Sequence, residues 1–238
     1  MQASEHDWLQ QQVCSPLGLQ PTSEQLSRLL GYIDLLQRWN TTYNLTSVRD
    51  RAGMLTQHLA DCLAVVRPLA QHLQAAGLGR ARVLDVGSGG GLPGAVLAVL
   101  LPQLQVTTVD TVGKKAAFVR QVAGALALGN LHAAHARVEA LQEAPYDVIT
   151  SRAFASLPDF VRLTRAHLSG PGVWMAMKGK HPQDELAGLP PDIEAFHVEQ
   201  LTVPQLEAER CLVWMRPEAA VAPVAVPVVV PVAGAGGG

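Results

Sequence analysis

Apolar positions in the first third of the chain recur at helical spacing. Leu26, Leu29, Leu30, Ile33 and Leu36 fall on one helix face, and Thr22 with Gln25 has the spacing of a capping box that would start it. Asn40 and the turn-prone Thr41-Thr42-Tyr43-Asn44 predict its end. A second helix is predicted over 54–73, with Leu55, Leu59, Cys62, Leu63, Val66 and Leu69 inward, bent or split at Pro68. From about residue 80 the pattern changes. Short apolar runs at 83–86, 106–109, 131–135, 146–150 and 173–177 predict strands, and 97–101 and 116–128 predict helices between them. Such alternation means βαβ units and a mostly parallel sheet, hence an α/β fold. Two further runs, 195–203 and 211–216, have no long helix between them and predict a closing antiparallel hairpin. The expected organisation is an N-terminal helical extension over 1–75, a seven-stranded Rossmann-like domain over 76–216 and a tail over 217–238.

The tail changes the meaning of the mean hydropathy. Residues 219–238 carry no charge and are mostly Ala, Val, Pro and Gly, so length alone would admit a membrane span. Pro223, Pro227 and Pro231 recur every fourth residue, and each removes a helical hydrogen bond. The expectation is an extended, disordered tail. Net charge is −2 and the pI near 6.4, so composition makes no electrostatic case for nucleic acid and any basic surface must be local. Cys14, Cys62 and Cys211 are widely spaced and form no CxxC pair, which argues against a disulfide framework and a zinc knuckle. The first fifteen residues show no signal-peptide pattern. A cytoplasmic, monomeric protein is expected.

The strongest local signal is Val83-Leu84-Asp85-Val86, then Gly87-Ser88-Gly89-Gly90-Gly91, then Leu92-Pro93-Gly94 and an apolar helix. A strand feeds a glycine turn that feeds a helix, with Pro93 suited to the first helical position. Glycines let a flat ligand approach the backbone and permit positive φ. The helix N-terminus would aim amides at an anionic group. Gly89-x-Gly91-x-x-Gly94 matches the dinucleotide pattern literally, but its register is late, since the strand should end at Val86. Asp85 also stands where a dinucleotide site usually has an apolar residue. The Asp-x-Gly-x-Gly-x-Gly run resembles motif I of the class I methyltransferases, whose loop holds S-adenosylmethionine. The next strand ends in Val109-Asp110, where an acid either accepts from both ribose hydroxyls or caps the following helix, which starts near Lys114 and Lys115.

Strand four ends in Ser151-Arg152-Ala153-Phe154, at the expected acceptor end. There is no Asn-Pro-Pro-Tyr type motif for an exocyclic amine, and no cysteine for covalent attack on a pyrimidine. Arg152 offers a planar cation for a phosphate, base or carboxylate, or forms a structural ion pair. His58 and Asp61, three apart, read as a helix-surface pair rather than a metal site, for want of a third ligand.

Several stretches together resemble one family. They are Trp39-Asn40-Thr41-Thr42-Tyr43-Asn44-Leu45-Thr46-Ser47-Val48-Arg49-Asp50, the glycine loop, Arg137-Val138-Glu139, Ser151-Arg152-Ala153-Phe154-Ala155-Ser156-Leu157 and Lys178-Gly179. The chain is similar over roughly 20–216 to the ribosomal RNA small subunit methyltransferase G family, also called glucose-inhibited division protein B. The resemblance implies methylation of a guanine N7 in 16S ribosomal RNA, free or in the small subunit, with S-adenosylmethionine as cofactor. It implies a cofactor site of Asp85, Gly87, Gly89, Gly91, Leu92, Asp110, Val138, Glu139 and Arg152, with Arg152 on the acceptor side. Cys62 and Thr111 stand where the family often has serine.

Guanine N7 carries a lone pair and no proton, so no general base is assigned, and no metal. Candidate RNA contacts are Arg137, Arg152, Lys178, Lys180 and Arg210, with Arg38, Arg49 and Arg51 further out. Two other functions fit the same fold: a methyltransferase for a small molecule or protein, and a non-catalytic RNA- or nucleotide-binding module. Inert RNA with a methylated metabolite would mark the first, and binding of a dinucleotide without S-adenosylhomocysteine the second.

Overall fold

The computed structural model describes residues 4–218. Its centre is one seven-stranded sheet in the order β3-β2-β1-β4-β5-β7-β6. The strands are β1 Arg82–Val86, β2 Gln105–Asp110, β3 Leu131–His135, β4 Tyr146–Arg152, β5 Leu168–Lys178, β6 Ile193–Leu201 and β7 Arg210–Pro217. Strands β1 to β5 pair in parallel, β7 lies antiparallel to β5, and β6 antiparallel to β7. The final hairpin is therefore not appended in chain order: β7 is inserted between β5 and β6. The strand order reverses at β1 and β4, the place where doubly wound sheets open a crevice at their C-terminal ends.

The helices are α1 Glu5–Trp8, α2 Ser23–Tyr43, α3 Arg51–Gly53, α4 Asp61–Leu63, α5 Val66–Ala75, α6 Gly94–Leu100, α7 Gly113–Ala125, α8 Leu157–Thr164 and α9 Gln183–Ala187. Leu9–Cys14 and Met54–Ala60 continue α1 and α3 as π-helical turns. The capping box is present: Thr22 Oγ1 accepts from Gln25 N at 3.2 Å, and Gln25 Oε1 from Thr22 N at 2.9 Å. Helix α2 runs beyond the expected stop at Asn40, to Tyr43. The Asn40 side chain is buried and bonds outward to the next loop, so it does not compete with the helical backbone. Asn44 then ends the helix with φ 49°.

The second long helix is broken at Ala64-Val65, ahead of Pro68, which lies in the first turn of α5. A proline ring collides with the carbonyl four residues earlier, so the break falls upstream of the residue that causes it. Pro93 proves to be the N-cap of α6 rather than its first residue. Helix α8 follows the acceptor-end stretch and has no counterpart among the expected elements. Pro217, assigned above to the tail, closes β7, and the rest of the tail after Glu218 lies outside the described residues.

Each strand sends alternate side chains to opposite faces. Val83, Val106, Val148 and Met175 join one buried cluster with Leu29, Ile33 and Leu36 of α2, Leu59, Leu69 of α5, Leu97 of α6 and Phe118 of α7. Leu84, Ile149 and Trp174 join the opposite cluster with Phe160 of α8. Each fully buried leucine contributes about 1.5–3 kcal/mol relative to exposure. The helices before β1 thus share one continuous core with one face of the sheet.

Candidate functional site

β1 ends at Val86, and Gly87, Gly89 and Gly91 follow with φ of 64°, 59° and 83°. A Cβ at Gly87 would strike the Phe154 ring, and one at Gly91 would lie 2.7 Å from Val119 Cγ2. A Cβ at Gly89 meets nothing within 4 Å. Two of these glycines are thus demanded by packing, whereas Gly89 opens onto empty space. Carboxylates fix the loop from both sides. Gly89 N donates to Asp110 Oδ2 at 3.0 Å, and Val112 N donates to Asp110 Oδ1 at 2.8 Å. From above, Tyr32 of α2 donates its hydroxyl to Gly90 O at 2.9 Å.

Asp85 lies beneath the loop with no exposed surface and lines neither cavity described below. Its Oδ2 accepts from Gly94 N at 2.8 Å, which occupies an amide expected to face a ligand. Its Oδ1 has no partner among the described residues, nor does Thr150 Oγ1 on the adjoining strand in register with it. Burial pushes the Asp85 pKa up to about 7, against the pull of the Gly94 amide and the Arg152 charge. The folded state therefore binds this proton more tightly than the unfolded chain, and stability falls as pH rises from about 4 to about 7. Asp85→Asn keeps an acceptor for Gly94 and adds a donor beside Thr150. Its melting temperature relative to the parent is expected to be higher at pH 8 than at pH 5; equal differences at both would contradict a proton held there.

Two cavities flank the loop, and Gly87 lines both. The larger, about 470 Å³, is lined by Asp110, Val112, Lys115, Arg137, Val138, Glu139 and Phe154 among others. The smaller, about 120 Å³, is lined by Tyr32, Leu45, Thr46, His58, Ser88, Gly89, Leu92 and Arg152 among others. Asp110, only 8% exposed, sits at the end of β2, with Lys115 Nζ 3.8 Å from its Oδ2. It does not cap α7: Val112 does, without a side-chain bond. Glu139 lies on the short 3-10 turn Val138–Ala140, and its own backbone amide holds its carboxyl below the usual range. Gly91, like Asp85, shapes the loop from outside both cavities.

Arg152 reaches into a buried ion cluster. Its Nη1 lies 3.2 Å from Asp61 Oδ2 and 3.2 Å from Gln57 O, while Arg210 Nε lies 2.7 Å from Asp61 Oδ1. Asp61 is 3% exposed, so it is not the partner of His58 on a helix surface. His58 instead places Nε2 2.7 Å from Thr46 Oγ1, and burial, with Arg152 nearby, pushes its pKa down. Asn40 completes this wall: its Nδ2 donates to Val48 O at 3.1 Å and its Oδ1 accepts from Thr46 N at 2.9 Å. Among the described residues no group of three His, Cys, Asp or Glu is placed to hold a metal.

The basic residues divide. Lys178 donates to Ala155 O at 2.9 Å and Glu185 Oε2 at 2.7 Å, and Arg51 pairs with Glu5 and Asp34, so these two are internal ties. Arg210 is largely committed to Asp61. Arg38, Arg49 and Lys180 are exposed, and Arg137 is mostly exposed although 3.5 Å from Glu139. Tyr32, Thr46, His58 and Phe154 line the cavities without having been singled out for that from sequence. Tyr32 stands beside Leu29, Ile33 and Leu36 on an apolar helix face, where nothing distinguishes it from core.

The chain has relatives at high sequence identity. It is 57% identical over 208 residues to Ribosomal RNA small subunit methyltransferase G of Acidovorax ebreus (strain TPSY), covering 85% of this chain and 92% of that one. It is 60% identical over 201 residues to the protein of the same name from Leptothrix cholodnii (strain ATCC 51168 / LMG 8142 / SP-6), covering 84% and 91%. A mutant of MtNAS, solved in complex with S-adenosylmethionine, superposes with a TM-score of 0.50 at 14% identity over 82% of this chain and 72% of that one, which speaks to the fold alone. The family model GidB, described as rRNA small subunit methyltransferase G, matches residues 25–213. This chain belongs to the rRNA small subunit methyltransferase G family.

Proposed function

We propose that this protein methylates N7 of a guanine in small-subunit ribosomal RNA, using S-adenosylmethionine, as a monomer in the cytoplasm. The observation that carries the reading is the open face of Gly89 in the smaller of two cavities that Gly87 lines on both sides. An elongated nucleoside with an amino-acid end fits that pair. Asp110, Val138 and Glu139 would hold the nucleoside, with Asp110 taking the ribose hydroxyls. Gly87, Gly89, Leu92 and Arg152 would hold the amino-acid end, while Asp85 and Gly91 position the loop. The segment 1–75 acts as an extension that walls the smaller cavity through Tyr32 of α2, Leu45 and Thr46 of the following loop, and His58.

The bound cofactor supplies an electrophilic methyl group on a sulfonium. Everything else falls to this chain's residues. Guanine N7 has a free lone pair, so no residue needs to remove a proton. His58, depressed in pKa, stays neutral near pH 7 and adds no charge to repel a sulfonium. Leu36, Leu45 and Leu92 keep water from the smaller cavity. Asp61 and the Gln57 carbonyl hold Arg152 in place at its edge. Positioning of this kind can supply on the order of 7–11 kcal/mol of the barrier. Exposed Arg38, Arg49, Arg137 and Lys180 are the candidate phosphate contacts, whose contribution falls with added salt.

Tritiated S-adenosylmethionine offered with unmodified small-subunit RNA, and separately with unmodified small subunits, tests the reading. Label at one guanine, released by borohydride and aniline cleavage as expected for N7, supports it. No label, or label resistant to that cleavage, contradicts it.

A further inference from the structure

The segment Trp39 to Thr46 is rich in side chains whose work the fold explains. The Trp39 ring packs against Phe118 at 5.5 Å between centroids. Asn40 clamps the loop at Thr46 and Val48, Asn44 ends α2, Leu45 is buried, and Thr46 meets His58. Tyr43 is the exception. This residue is 43% exposed, and its hydroxyl has no hydrogen-bond partner among the described residues. Among those residues only Tyr43 and Val112 are large apolar side chains left this open, and Val112 lines the larger cavity.

The ring is exposed but held. Trp39 packs against it at 4.9 Å between centroids, tilted by 36°. Trp39 leans on Phe118, Phe118 lies edge-on to Tyr32 at 6.0 Å, and Tyr32 bonds to the glycine loop at Gly90. Lys114 Nζ donates to Tyr43 O at 2.6 Å, anchoring the backbone to the start of α7. Leu45 and Thr46, two and three residues on, form the wall of the smaller cavity. Arg38 and Arg49, on either side in the chain, are exposed, and neither forms a salt bridge among the described residues. A fixed aromatic face next in sequence to the wall of the smaller cavity, and flanked in sequence by free guanidinium groups, has the chemistry of a single-stranded nucleic-acid platform.

We propose that Tyr43 stacks on an unpaired base of the substrate RNA, with Arg38 and Arg49 as phosphate contacts, and so helps select a loop nucleotide for methylation. This rests on RNA being the substrate. A stacked base is worth about 1–3 kcal/mol, or roughly 5- to 150-fold in affinity. End-labelled unmodified small-subunit RNA is titrated with the full chain and with its Tyr43→Ala, Tyr43→Phe and Tyr43→Trp variants at fixed salt, without cofactor. Tyr43→Ala is expected to weaken RNA binding at least fivefold, while the aromatic variants stay within twofold and affinity for S-adenosylhomocysteine is unchanged. Arg49→Ala should lower the salt dependence of RNA binding by about one charge. If Tyr43→Ala melts early, photocrosslinking of the parent chain to 4-thiouridine RNA decides, with adducts expected on the peptide holding Tyr43 and their absence overturning the proposal. RNA binding within twofold for Tyr43→Ala, in a protein that binds and methylates the RNA, overturns the stacking role alone. A parent chain that neither binds nor methylates the RNA overturns the substrate reading instead.

Discussion

Gly89→Val is expected to lower affinity for S-adenosylhomocysteine more than about 100-fold, which is about 2.7 kcal/mol, while the fold survives. Nothing stands within 4 Å of a Cβ at this position, so the new Cβ meets no protein and the side chain projects into the smaller cavity, where the ligand is expected. The backbone cost of a side chain at φ 59° is roughly 1–2 kcal/mol. Against a usual stability of about 5–15 kcal/mol that is tolerable, and melting should drop by roughly 2–8 °C. Gly91→Ala makes the contrast. Its Cβ would lie 2.7 Å from Val119 Cγ2, so overpacking of about 1–3 kcal/mol adds to the strain of φ 83°. Calorimetry and melting together separate the two: the valine variant loses ligand first, the alanine variant loses stability first. Unchanged ligand affinity in Gly89→Val would mean the loop is not the binding surface.

Asp61→Ala is expected to be the more damaging change to the protein itself. One buried carboxylate serves two guanidinium groups, on β4 and β7, and joins them to α4. Removing it leaves two positive charges facing each other with no partner between them. Breaking a buried pair in this way costs about 3–5 kcal/mol. The two arginine side chains retain 23% and 26% exposure, which favours the lower end. A loss of about 3 kcal/mol lowers melting by roughly 6–12 °C in a domain of this size. Because Arg152 borders the smaller cavity, methyl transfer should fall by about 100-fold even below the new melting point. Asp61→Asn, which keeps the shape, should lose less of both. A melting temperature and rate unchanged by alanine would show the cluster to be incidental.

Much of the fold was legible because its signals are local. Alternation of apolar runs with helical stretches identifies the parallel strands, and the glycine run identifies the strand-to-helix turn whose backbone takes positive φ. Thr22 and Gln25 announce a helix start because both partners of the cap lie within one turn. What escaped is set by contacts distant in sequence. Asn40 looks like a helix stop until its partners at Thr46 and Val48 are seen. Asp61 pairs with Arg152 and Arg210, far along the chain, instead of with His58 three residues away. Lys178 resembles a free cation at a strand end, yet Glu185 on the short helix α9 neutralises it. The insertion of β7 between β5 and β6 is likewise a property of the whole sheet, which no single run of residues carries.

The central claim is that the nucleoside end of the cofactor lies in the cavity bordered by Asp110 and Glu139, with the amino-acid end against Gly89. A crystal structure of the protein with S-adenosylhomocysteine tests this directly. The ribose hydroxyls are expected within hydrogen-bonding distance of the Asp110 carboxylate, and the amino-acid end beside Gly89 and Arg152. A cofactor bound elsewhere, with the glycine loop in contact only with the protein's own side chains, would contradict it.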